Sequence, residues 1–240
     1  MMAMLAGMFL FHAALCAQAP FVPTNMKDGE VQSRPFSSPP KLTPGAPNVL
    51  MIGDSILGGY IKQTGRHFRG KVNFYARASA NSVVHKSILG DLEKALTTAA
   101  KEGVVFDVIH FNEAGLHALG DKGVPTADYL AALERYVATL RRFAPQARLV
   151  WASTTPITVE GHPEQLDPVL NPLVVERNEA AKRWFAKEGV AVNDLYAVIV
   201  PHMELGKGDR FHWTPEGKDI MAQAVCAALE KVLAEVRPAP

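Results

Sequence analysis

From residue 48 onward the chain alternates between two hydrophobic rhythms. Short, almost wholly apolar runs at residues 48–53 (Asn-Val-Leu-Met-Ile-Gly), 71–76, 104–111, 147–152 and 189–195 predict strands buried on both faces. Between and after them apolar residues recur at three- and four-residue steps, the period of an amphipathic helix. Tyr129, Leu130, Leu133, Tyr136, Val137 and Leu140 follow this period behind Thr126, a residue type suited to an N-cap. Near the end, Ile220, Ala224, Ala228 and Val232 form one row at i+4 spacing, and Met221, Val225, Leu229 and Leu233 form the row beside it. Two adjacent rows make a wide stripe that must dock on a large apolar surface, and Pro215 suits the first turn of that helix.

Strands separated by helices imply parallel pairing through right-handed crossovers. The expected fold over residues 48–240 is a three-layer α/β/α sandwich around a five-stranded parallel sheet, of the flavodoxin-like type. In such sheets the ligand crevice lies beyond the C-terminal ends of the strands. The stretches to inspect are therefore Gly53-Asp54-Ser55 and residues 77–82, 112–117, 153–156 and 201–213.

Before residue 48 the pattern breaks down. Sixteen of the first 19 residues are hydrophobic, and no Lys, Arg, Asp or Glu precedes Lys27. The apolar run ends in Ala17-Gln18-Ala19, a small-x-small cleavage pattern, and is short against the roughly 20 residues a membrane span needs. Residues 1–19 are expected to be a signal peptide that exports the protein to the periplasm or medium. An uncleaved N-terminal membrane anchor is the alternative. Residues 20–47 hold seven prolines and read as an extended linker.

Composition narrows the function classes. With 48% hydrophobic and 20% charged residues, the chain can bury a real core. A net charge of +1 supplies no field to steer polyanions, so nucleic acid is not an expected partner. Two cysteines, Cys16 and Cys226, cannot make a disulfide scaffold or a four-ligand zinc site, and no His pair stands at ligand spacing.

Two short motifs carry chemistry. Ser55 follows Gly53-Asp54 at the end of the first predicted strand, where a tight strand-to-helix turn presents a hydroxyl at the sheet edge. Asp209-Arg210-Phe211-His212-Trp213 lies just before the last helix. Asp and His three apart can bring a carboxylate against imidazole Nδ1–H, leaving Nε2 to take a proton from a serine. Asn112, after the third strand, offers a side-chain NH₂ to an oxyanion. The polar, proline-containing segment 154–172 is expected to be a long loop at the substrate side of the sheet. His110 and His117 are assigned mainly to packing and supporting hydrogen bonds. Asp54, His117 and Trp213 are the candidate substrate contacts.

Gly53-Asp54-Ser55 and Asp209-x-x-His212 resemble the first and last motif blocks of the SGNH (GDSL-type) hydrolases, with the likeness running from Asn48 to Val236. The resemblance implies a serine esterase in which Ser55 is the nucleophile, His212 the general base and Asp209 its orienting carboxylate. Residues 110–113 (His-Phe-Asn-Glu) stand where that family has Gly-x-Asn-Asp. Only Asn112 matches, although Phe111 to His117 resembles a variant block of one esterase branch. The second block lacks its glycine, and Ala80 is the nearest stand-in. The implied oxyanion hole is thus the Ser55 and Ala80 N–H groups with the Asn112 amide.

This chemistry needs no metal or organic cofactor. The implied substrate is a small-molecule or saccharide ester, with short-acyl or acetylated carbohydrate esters favoured. An acyltransferase to a sugar hydroxyl, and a non-catalytic carbohydrate- or partner-binding domain, are the rival readings.

Overall fold

The computed structural model describes residues 38–39, 41–79, 81–112, 116–119 and 123–236. The segment expected to be a signal peptide, most of the expected linker and Ala80 lie outside the described residues. The five expected strands form one parallel sheet: β1 (Asn48–Gly53), β2 (Asn73–Ala78), β3 (Val108–Phe111), β4 (Arg148–Ala152) and β7 (Ala191–Asn193), in the order β2-β1-β3-β4-β7.

The helices are α1 (Ser55–His67), α2 (Ile88–Lys101), α3 (Thr126–Phe143), α4 (Leu170–Glu188), α5 (Leu195–Ile199) and α6 (Pro215–Val236). On one face Leu50 and Ile52 of β1 pack with α2, α3 and α4 around Tyr136, Trp151 and Phe185. On the other face Val49 and Met51 pack with α1, α5 and α6. β1 is apolar from Val49 to Ile52 because both of its faces are covered. Each of its four central side chains, at 0–1% exposure, contributes about 1.5–3 kcal/mol by burial.

Several boundaries differ from the sequence expectation, each for a local reason. β2 starts at Asn73 rather than 71, because the N–H groups of Lys71 and Val72 bond back to Phe68 and close α1. β3 is confined to Val108–Phe111, because Val104 N–H closes α2 through the Ala99 carbonyl. Pro125 takes the cap position of α3, and Thr126 is its first helical residue. The buried stripe of α6 centres on Met221, Val225, Leu229 and Val232 with Ala222 and Cys226, while Ile220, Ala224 and Ala228 sit at its margin.

The largest correction concerns residues 154–172, expected to be a long loop. They contain an antiparallel hairpin, β5 (Thr158–Val159) with β6 (His162–Leu166), and run into α4. Thr155, Ile157 and the first hairpin residue, Thr158, are buried.

Candidate active site

The chain leaves β1 for β2 on one side and returns to β3 on the other, so the direction of winding reverses between β1 and β3. Such a reversal opens a crevice at the C-terminal ends of those two strands. Ser55 follows β1 and Asn112 follows β3, which places both at this point.

The β1 end is built by close packing. Asp54 is extended, and its Oδ1 accepts the Ile56 N–H at 2.8 Å, capping α1 and setting Ser55 as its first residue. Ser55 is exposed. Asn112 N–H donates to the Ile52 carbonyl at 3.0 Å, extending the β1–β3 ladder by one residue. This seats the Asn112 side chain over Gly53. A Cβ on Gly53 would lie 1.7 Å from Asn112 Oδ1 and 2.7 Å from Leu57 Cβ, so only glycine fits there. Asn112 is 7% exposed, and its Oδ1 has no hydrogen-bond partner among the described residues.

The His212 end is a loop. Asp209 Oδ1 accepts the N–H groups of Phe211 (3.2 Å) and His212 (2.8 Å), and its Oδ2 lies 2.8 Å from His212 Nδ1. His212 Nε2 lies 2.9 Å from Ser55 Oγ, across 157 positions of sequence. With Nδ1–H donating to the carboxylate, the Nε2 lone pair is free to accept the Ser55 hydroxyl proton. Partial burial pushes the Asp209 carboxyl upward, but the hydrogen bonds from His212 and Phe211 outweigh this and hold it below the ordinary carboxylate value.

Contacts with the hairpin shape this loop. Lys207 N–H bonds the His212 carbonyl and Thr214 N–H bonds the Leu205 carbonyl, both at 2.8 Å, around a Gly206–Trp213 bridge. Thr158 and Gly161 of the hairpin donate to the Arg210 and Gly208 carbonyls. A Cβ on Gly206 would meet Pro163 Cβ at 2.8 Å. Arg210 has φ +75, the only positive φ of a non-glycine among the described residues. Its guanidinium bonds Asp167 Oδ2 at 2.6 Å, while Asp167 Oδ1 accepts the N–H groups of Val169 and Leu170. Neither Arg210 nor Asp167 had a role in the sequence reading. The only sequence signal was an arginine inside the Asp-x-x-His motif, and its partner lies 43 residues away.

The remaining candidates divide. Asp54 is 4% exposed and directly precedes Ser55, and burial raises its carboxyl above the ordinary value. His117 Nε2 is 3.9 Å from Asp54 Oδ2, which brings this imidazole to the Gly53–Ser55 turn. Trp213 is 2% exposed, part of the α1–α6 core, and also lines the crevice beside His212. His110 is fully buried, with its pKa lowered to about 4 by burial, and faces Asn193 at 3.3 Å, a supporting position. Ser153 bridges Asp194 and the Tyr196 N–H and joins β4 to α5. A cavity of about 230 Å³ opens beside Ser55, walled by Ser55, Ile56, His212, Trp213 and Met221 among others. Among the described residues, no group of three His, Cys, Asp or Glu could hold a metal ion, and no helix is long and apolar enough to cross a membrane.

Comparison with known proteins bears on this geometry. The family profile described as GDSL-like Lipase/Acylhydrolase matches residues 49–225, most of the chain. A search of curated proteins finds no match. Among solved structures, a member of the lipolytic protein G-D-S-L family from Veillonella parvula is 20% identical, with a TM-score of 0.58, covering 77% of this chain and 97% of that one. Axe2, an acetylxylan esterase from Geobacillus stearothermophilus, is 15% identical with a TM-score of 0.62, covering 78% and 96%. A GDSL-like lipase from Bacteroides thetaiotaomicron is 15% identical with a TM-score of 0.58, covering 77% and 88%. At these identities the likeness to solved structures is one of fold, and the profile match over residues 49–225 assigns the family. With a serine, an imidazole and a carboxylate aligned at its sheet edge, this chain belongs to the GDSL-like lipase/acylhydrolase family and is a hydrolase acting on esters.

Proposed function

We propose that the protein is a serine esterase that cleaves short-acyl carboxylic esters, acetylated saccharides among them, through an acyl-enzyme on Ser55. The observation that carries this reading is the unbroken chain Ser55 Oγ–His212 Nε2–Asp209, at 2.9 and 2.8 Å. His212 takes the Ser55 proton as Oγ attacks the ester carbonyl, and Asp209 stabilises the imidazolium and keeps its orientation. The oxyanion is held by the Ser55 N–H, which the first turn of a helix leaves without an intrahelical partner, and by the Asn112 amide. Ala80 N–H is the third donor in this reading. His212 then protonates the departing alcohol and activates water to release the acyl group.

The short-acyl part of this reading draws on the likeness in fold to Axe2, an acetylxylan esterase, and the cavity beside Ser55 supports a small ester as a whole. At about 230 Å³ it falls below the roughly 300–1,000 Å³ of sites for drug-sized ligands. The reading also takes residues 1–19 as an export signal, which suits an extracellular saccharide ester. A hydrolysis panel from acetyl to long-chain 4-nitrophenyl esters, together with acetylated sugars, tests it. Cleavage is expected to fall with chain length, and a fluorophosphonate is expected to add its mass to Ser55 in the wild type but not in Ser55→Ala. A preference for long chains would overturn the short-acyl assignment, and an unlabelled Ser55 would overturn the nucleophile.

A further inference from the structure

The cavity beside Ser55 has an uneven chemical lining. Its apolar floor is Ile56, Trp213 and Met221, and its two charged walls are both lysines, Lys207 and Lys218. Among the described residues, no Asp or Glu lines it. Neither lysine makes an ion pair within 4.0 Å among the described residues. Lys218 is also positioned: its stem runs along Gly59, where an added Cβ would stand 3.4 Å from its Cγ.

The triad gives the cavity an orientation. In the proposed mechanism the oxyanion sits against Asn112 and the departing oxygen must face His212 Nε2. Asn112 does not line the cavity, and His212 does. The group nearest this space in the tetrahedral intermediate is therefore the alcohol.

Resting on that mechanism, we propose that the cavity is the alcohol-side subsite and that it selects esters whose alcohol carries a negative group, held between Lys207 and Lys218. Ammonium groups in a water-accessible cleft act as point charges with modest, salt-screened attraction. The selectivity is therefore one of preference, about three- to tenfold in kcat/KM over a neutral alcohol of the same shape.

The test compares 4-acetoxybenzoate with its neutral isostere 4-acetoxybenzamide, and 4-nitrophenyl hemisuccinate with 4-nitrophenyl butyrate. The expected result is a preference for the benzoate that shrinks in 1 M salt, where the Debye length is about 3 Å. It should collapse towards parity in Lys207→Met/Lys218→Met and invert in Lys207→Glu/Lys218→Glu. Equal rates on the acetoxy pair, or a preference that survives in the double Met variant, would overturn the proposal. A preference for the hemisuccinate alone would overturn the alcohol-side assignment. If wild type hydrolyses none of the four esters, the esterase reading fails separately. The subsite is then judged by calorimetric titration with 4-hydroxybenzoate against 4-hydroxybenzamide. Lysine-dependent binding of the benzoate alone supports it, and equal binding overturns it.

Discussion

The two halves of the site are held by different physics. The Ser55 end is part of the sheet: Ser55 follows a central strand whose four inner side chains, Val49 to Ile52, are 0–1% exposed, and Gly53, Asp54 and Asn112 lock the turn within a few ångströms. The His212 end is a loop held from outside by a hairpin, with Arg210 in a left-handed conformation and tied to Asp167. The first half has no room to adjust, because core packing permits few alternatives. The second depends on one partly buried ion pair and a few backbone hydrogen bonds. Damage at the first end should therefore abolish chemistry, and damage at the second should misplace it.

The sharpest break is Ser55→Ala, which should lower kcat for 4-nitrophenyl acetate by about 10⁴-fold or more while leaving the thermal transition in place. Asn112→Ala should come next. Loss of one oxyanion donor costs about 10²–10³ in kcat with little change in KM, measured by steady-state kinetics. Gly53→Ala should match or exceed that loss and also lower Tm, because its Cβ collides with Asn112.

Arg210 and Asp167 sharpen the comparison. Arg210→Ala keeps the unfavourable φ and loses the guanidinium. Arg210→Gly loses the same ion pair but relieves about 1 kcal/mol of backbone strain. Both should reduce kcat about tenfold, with Arg210→Gly melting higher than Arg210→Ala. Equal melting temperatures would show that φ +75 carries no strain.

The smallest effects are in the pH dependence of stability. Burial pushes the Asp167 carboxyl up, but hydrogen bonds from Leu170, Val169 and Arg210 prevail and hold it below its ordinary value. Its contribution is therefore complete above the unfolded carboxylate value of about 4 and is lost as pH falls through the lower folded value. Asp54 has the opposite sign. Burial raises its folded value, so it weakens the fold as pH rises above the unfolded value. Asp54→Asn, which keeps the capping oxygen, should gain a few degrees in Tm at pH 8 relative to wild type, and nothing at pH 4. Asp167→Asn should lose Tm at pH 8 and show a flatter acid limb.

Sequence alone was enough for the elements whose cause is local or periodic. Apolar runs marked all five sheet strands, β1 most fully because both of its faces are covered, whereas the edge strand β7 leaves Val192 exposed. Gly53-Asp54-Ser55 was legible because capping and the tight turn act within three residues. Asp209 and His212 were legible because their hydrogen bonds span only three positions. The 2.9 Å approach of His212 to Ser55, the docking of Asp167 on Arg210 and the convergence of Lys207 with Lys218 on one cavity were decided by the tertiary structure. A hairpin read as a polar loop, and an arginine read as a spacer, leave no periodic trace. Their roles come from partners tens of residues away, and only the folded sheet brings those partners within reach.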